Sequence, residues 1–220
     1  MRKNFWLLLL ALPLAFQLAA CSDDDEADEL AASWEVRNTQ WFLTIADSAR
    51  TAIAEARAQW GDDWEAHCDW RMYKSLLKSQ QQYGSLMDSV CIHFLQRGEG
   101  TVSPRSTDSV RVNFRGFLMP THLTVNGKDS LAFTTFTQTY YGTFNPATAS
   151  PQLMVVSATV AGFSTALQYM HVGDNAWVYI PQQLGYGTTA NGAIPAGSTL
   201  AFHLNLVGIY PPGQVVPPWN

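Results

Sequence analysis

Few residues in this chain are equipped for proton or metal chemistry. Between Val90 and Tyr210 the only acids are Glu99, Asp108, Asp129 and Asp174. That scarcity argues against the paired carboxylates of a glycosidase and the acid–base partners of a protease. The five histidines show no metal-ligand spacing. His67, Cys68 and Asp69 are consecutive, so their side chains diverge, and neither a metal nor a cofactor is expected. Tyr186 is the informative polar residue. Flanked by Gly185 and Gly187, it reads as a loop tyrosine with an available hydroxyl rather than a side chain on a packed face. The rest of the chemistry is apolar, with 47% hydrophobic, 12% aromatic and only 14% charged residues among 220. Such a composition excludes a disordered chain and a coiled coil, and the length suffices for a real core.

Charge is concentrated at the front. Seven of the 18 acids lie within Asp23–Glu35 and two of the 13 bases are Arg2 and Lys3, which leaves 11 acids and 11 bases from Val36 onward. No basic stripe remains to neutralise phosphates, so a nucleic-acid partner is not expected. Arg2 and Lys3 precede an apolar run from Phe5 to Ala20, broken by Pro13 and Gln17, which reads as an export signal rather than a membrane span. The run ends in Leu18-Ala19-Ala20-Cys21, which resembles the bacterial lipobox. The resemblance implies cleavage before Cys21, its lipidation, and an anchor of about 0.8 kcal/mol per buried methylene. The acid-rich stretch that follows reads as a self-repelling tether, and it also resembles a signal for the outer face of the outer membrane. With Cys21 lipidated, Cys68 and Cys91 form the remaining pair. They could bridge in an oxidising compartment, but Cys91 lies in an apolar run and free thiols are the favoured reading.

The elements that must position any site fall into two blocks. Trp34, Trp41, Ile45, Ala49, Ile53, Ala56 and Trp60 recur at helical spacing and predict one apolar stripe, ending at Gly61-Asp62-Asp63. That stripe either packs on the neighbouring domain or serves as a face for a homodimer or a client. Trp70 to Gln82 reads as a short helix or an irregular strap. From Val90 the texture changes to alternating strands: Val110, Val112 and Phe114 against Arg111, Asn113 and Arg115, then Leu200, Phe202, Leu204 and Leu206 against their neighbours. One short helical pattern, Phe163 to Met170, interrupts them. The fold class is therefore α+β, an antiparallel sheet curved around one short helix and preceded by a helical N-terminal segment. The chain divides into a signal peptide (1–20), an acidic tether (21–33), a helical extension (34–88), the sheet domain (89–210) and a floppy Pro-rich tail (211–220). Trp177 and Tyr179 should share the outer face of the sheet, where the front helix is the obvious cover.

Several motifs in the sheet domain then occur in a telling order. They are Val112-Asn113-Phe114-Arg115-Gly116, Val160-Ala161-Gly162-Phe163, Met170-His171-Val172-Gly173-Asp174, Val178-Tyr179-Ile180-Pro181, Leu184-Gly185-Tyr186-Gly187, Ile194-Pro195 and Leu200-Ala201-Phe202. In order and spacing the domain resembles the macrolide-binding immunophilin (FKBP) family of peptidyl-prolyl cis–trans isomerases, and the front helix resembles extensions found before this domain in some bacterial members. The resemblance implies isomerase activity on proline-containing exported polypeptides, and a macrolide as a ligand. It makes Phe163 the aromatic floor of a pocket, Phe202 and Phe136 its walls and Ile194 its aliphatic cap. Tyr186 becomes the donor to a ligand carbonyl, and the backbone N–H of Val160, beside Thr159, the donor to a second carbonyl. Phe163, Phe202 and Ile194 would also point inward as ordinary core residues. Three positions depart from the family pattern: Phe114 replaces a tyrosine, Thr137 an aspartate and Met154 an aromatic. No arginine lies between Tyr140 and Pro151 to match the one often paired with that aspartate, so acid and partner are lost together and no buried charge is orphaned. These losses leave a non-catalytic client-binding module as the rival reading. Four Asp-Ser-aliphatic triplets, beginning at Asp47, Asp88, Asp108 and Asp129, resemble a bacterial O-glycan acceptor, and equally serve as caps and strand openings.

Overall fold

The computed structural model describes residues 23–78, 84–125 and 128–219. Cys21 and the preceding segment, on which the export and lipidation readings rest, lie outside the described residues. A long helix, α1 (Asp23–Trp60), comes first. It begins inside the stretch expected to be a tether. A 3-10 turn, Gly61–Ala66, follows. The next segment corrects the expectation of a short helix or strap within a helical extension, because Trp70–Lys74 is a strand, β1. Its aromatic and long side chains suit a half-buried pleat, and it pairs antiparallel with β2 (Ser89–Gln96).

The remaining elements are β3 (Ser109–Leu118), β4 (Thr121–Val125), β5 (Lys128–Ala132), β6 (Thr135–Gln138), β7 (Gln152–Val155), α2 (Ala161–Leu167), β8 (Asn175–Ile180) and β9 (Leu200–Tyr210). Among the described residues the sheet runs β1-β2-β8-β9-β3-β6, with β7 also on β3, and β4 and β5 form a separate hairpin. The inner face carries the main core: Ile92, Val110, Val112, Val178, Leu204 and Leu206 pack against Phe163, Leu167 and Met170 from α2 and the residues after it. Gly162 allows the close approach, since a Cβ there would lie 2.3 Å from Ile180 Cγ2. Asp174 fixes the turn before β8 by accepting from the N–H groups of Gly98 (2.7 Å) and His171 (2.8 Å).

On the outer face α1 buries Phe42, Ala46 and Ala49 against Met72, Cys91, Trp70 and Tyr179. Ala49 and Ala56 of the expected stripe are buried, but Trp41 and Ile45 give way to Phe42 and Ala46, one position further on. Alanines let the helix axis approach the sheet, so the larger Trp41 and Ile45 flank the contact instead of forming it. Trp41 meets Tyr179 edge-on at 6.2 Å, whereas Trp60 is exposed and stacks on His67 at 3.7 Å. Cys68 and Cys91 are both free, and burial pushes the Cys91 thiol up to about 12. The tail is not loose: Arg111, inside the sheet's outer face, donates from Nη2 to the carbonyl of Pro217 and lies over the Trp219 ring. A buried guanidinium needs acceptors, and the tail supplies one.

Residues 34–38 of α1 are tied to the loop between β8 and β9. Trp34 Nε1 donates to Ser198 Oγ (3.0 Å), Gln182 Nε2 donates to Glu35 Oε1 (2.6 Å), and Thr199 N–H donates to Asn38 Oδ1 (3.0 Å). Asn38 and Thr199 are fully buried. Asn38→Ala strands the Thr199 N–H without water, and it should lower the free energy of unfolding in urea by about 1–3 kcal/mol.

Candidate functional site: an aromatic cavity

A cavity of about 520 Å³ opens between the inner face of the sheet, the approach to α2 and the loop after β8. All ten residues assigned to a pocket by resemblance line it: Phe114 on β3, Phe136 and Thr137 on β6, Met154 on β7, Thr159 and Val160 before α2, Phe163 in α2, Tyr186 and Ile194 in the loop, and Phe202 on β9. Sequence reasoning missed Ala158, Asn191, Gly192 and Ala193, which complete the rim. A signal for three of them was present, because Asn-Gly is a tight-turn dipeptide. The turn closes with reciprocal 2.9 Å backbone bonds between Asn191 and Ile194 and has Gly192 at φ +56°.

Strand register builds the walls. Phe114, Gly116 and Phe202 fall on the inner face because β3 pairs with β9 with Phe114 opposite Leu204 and Gly116 opposite Phe202. Phe163 sits edge-on to Phe202 at 4.9 Å and to Phe114 at 6.2 Å, and Phe136 sits edge-on to Phe202 at 5.4 Å. Edge-to-face contacts of this kind fix ring planes and add about 0.5–1.5 kcal/mol each beyond burial. Phe114, Phe163, Ile194 and Phe202 are buried, whereas Tyr186 is 36% exposed on the rim. Neither the Tyr186 hydroxyl nor the Val160 N–H has a hydrogen-bond partner among the described residues. Both remain available to a ligand's carbonyls. Thr159 is otherwise engaged, its hydroxyl donating to the Val156 carbonyl at 2.8 Å. No lining side chain is charged.

The site depends on Gly116, which the sequence shows only as one residue of the β3 motif. A Cβ there would stand 2.6 Å from Phe136 Cζ and 2.7 Å from Phe202 Cε1. Behind Phe202, on the outer face, His203 is buried and hydrogen-bonded through Nδ1 to the Tyr140 hydroxyl. Arg115 donates to the carbonyls of Tyr140 (2.8 Å) and Gly142 (3.1 Å). Burial, and secondarily the Arg115 charge, holds the His203 imidazole below its ordinary 6.5, and burial raises the Tyr140 hydroxyl.

The fold and the cavity define a domain with an uncharged, aromatic-walled pocket between a sheet and a short helix, with neutral hydrogen-bond donors at its mouth. Residues 100–207 match the model of the FKBP-type peptidyl-prolyl cis-trans isomerase family, which makes the domain they form one of that family. It is similar to the FKBP-type 22 kDa peptidyl-prolyl cis-trans isomerase of Escherichia coli (33% identity over 116 residues, 52% of this chain and 47% of that protein). It is also similar to the peptidyl-prolyl cis-trans isomerase Mip of Coxiella burnetii (28% over 140 residues, 63% and 53%). A third similarity is to FK506-binding protein 2 of Gibberella zeae (46% over 50 residues, 23% and 26%). The chain thus spans about half, or less, of the length of these relatives.

Two outcomes follow. Gly116→Ala forces Phe136 and Phe202 apart, so it should cost about 1–3 kcal/mol of stability and move the ring-current-shifted proton resonances of both phenylalanines. Because His203 binds its proton more weakly folded than unfolded, the unfolded chain gains protons first as pH falls below 6.5. Stability should therefore decline from pH 6.5 down to the folded value. Urea midpoints measured across that window should fall less steeply in His203→Gln.

Proposed function

We propose that this protein accelerates cis–trans rotation about X–Pro bonds in exported polypeptides. The observation that carries the reading is the uncharged cavity walled by Phe114, Phe136, Phe163 and Phe202, with the Tyr186 hydroxyl unpaired at its mouth. Rotation meets a barrier of about 20 kcal/mol because amide resonance must be broken. A planar amide keeps a polar carbonyl that water stabilises, whereas a twisted one has lost much of that polarity. A dry aromatic cavity therefore binds the twisted form better than the planar one, and binding of that kind lowers the barrier. Phe163 is the floor under the proline ring, Phe136 and Phe202 are walls, and Ile194 closes the top. Tyr186 and the Val160 N–H hold flanking carbonyls, and a macrolide competes for the same space. The N-terminal basic, apolar and Cys21 sequence supports export and lipidation, with the domain held at the outer membrane of the cell envelope.

One feature favours a second reading, a binding module without turnover. Thr137 and Phe114 line the cavity where the resemblance implies an acid and a phenol, so the pocket is less polar than the family pattern. Catalysed rotation in a short Ala-X-Pro-Phe peptide separates the two. Turnover above the spontaneous rate is expected, reduced about tenfold in Tyr186→Phe, the equivalent of one hydrogen bond, and more in Phe163→Ala. Thr137→Asp should raise it. A spontaneous rate unchanged by the purified chain overturns the isomerase reading, and macrolide binding under those conditions would establish the binding module.

A further inference from the structure

On the outer face of the sheet, opposite the aromatic cavity, lies a second cavity of about 500 Å³. Its walls are the Phe144 and Trp219 rings, and its floor is a patch of amides, Asn113, Asn175 and Asn205, on β3, β8 and β9. No lining side chain is charged. The amides are not all satisfied internally. Asn113 Nδ2 donates to Asn205 Oδ1 (3.4 Å) and Asn205 Nδ2 donates to the Asp174 carbonyl (3.2 Å). That chain of bonds leaves Asn113 Oδ1 and Asn175 Oδ1 buried with no partner. Asn113 is only 1% exposed, and an unpaired buried amide oxygen costs about 1–3 kcal/mol. Phe144 is held at a fixed angle by edge contacts to Tyr140 (4.9 Å) and His203 (5.3 Å). Trp219 is brought over the sheet by Arg111.

We propose that this cavity is a binding site for a neutral saccharide of one or two rings. Unpaired amides packed side by side call for a ligand with closely spaced groups that both donate and accept, which is the property of vicinal hydroxyls. Turned end over end, either amide would present an unpaired N–H in the same place, and a hydroxyl would satisfy that as well. The rings of Phe144 and Trp219 supply flat apolar surface for the C–H face of a pyranose. The absence of charge in the lining fits an uncharged ligand and gives an anionic one no counter-ion. A peptide fits less well. β8, β9 and β3 are consecutive interior strands of the sheet, so their backbones are already paired and offer no edge for an added strand.

The test is titration of the ¹⁵N-labelled chain with maltose, cellobiose and chitobiose, each to about 10 mM, which detects dissociation constants in the millimolar range. At least one should shift the side-chain amide signals of Asn113 and Asn175 in a saturable way. Trp219→Ala and Asn175→Ala should each weaken that binding about tenfold, with isomerase turnover and the urea midpoint unchanged. Failure of all three sugars to shift those amides overturns the proposal. So does binding that survives in both variants, or a trialanine amide that shifts the same signals where the sugars do not.

Discussion

The space above Gly116 is the constraint on which the site rests. Gly116 stands opposite Phe202 in one ladder and opposite Thr137 in the other, so β9 and β6 both converge on it. With no Cβ in the way, Phe136 and Phe202 lie over the strand and meet edge-on. Phe163 then completes the box from α2. The fixed ring planes keep the cavity open where a looser set of apolar side chains would collapse into it, because interiors otherwise pack to near-crystalline density. Gly162 does the equivalent work on the helix side, bringing α2 onto Ile180. Two small residues thus set the distances that four large rings exploit.

The rim is held by another route. Tyr186 and Ile194 sit in a loop, and loops are where positioning is weakest. Here the loop is bonded at Gln182, Ser198 and Thr199 to the helix that precedes the domain. Helix α1 is therefore a brace for the mouth of the cavity as well as a cover for the outer face. It uses Phe42, Ala46 and Ala49 for that cover, with Trp41 flanking the contact. A change in α1 can reach the cavity through these hydrogen bonds without touching a lining residue.

The two faces of the sheet divide the chemistry. The inner face is neutral and aromatic around the cavity, and Thr137 with Phe114 makes it less polar than the family resemblance implies. The outer face carries the polar members of the alternating pattern, Arg111, Asn113, Arg115, His203 and Asn205, most of them out of water. They bond to one another, to Tyr140, to the Asp174 carbonyl and to the C-terminal tail, while Asn113 Oδ1 and Arg115 Nε are left without a partner. Charge kept off the cavity side leaves its lining neutral and largely apolar, as the proposed preference for a twisted amide over a hydrated planar one requires.

Alternation along β3 and β9, the short pattern around Phe163 and the glycines about Tyr186 were legible in the sequence because each is a local consequence of backbone period or turn geometry. Motif order added the grouping of ten residues that the structure places around one cavity. What sequence could not decide was set by contacts between distant segments. Trp70–Lys74 is a strand because β2 offers it an edge, a fact invisible from its own period. On α1, Phe42 and Ala46 take the buried places expected of Trp41 and Ile45, because the closeness of the sheet decides which side chains fit at a helix–sheet contact. The tail is pinned because Arg111, 106 positions away in sequence, donates to the Pro217 carbonyl as well as to the Tyr210 hydroxyl. Local periodicity fixes which face a side chain takes, and only tertiary packing decides what waits on that face to meet it.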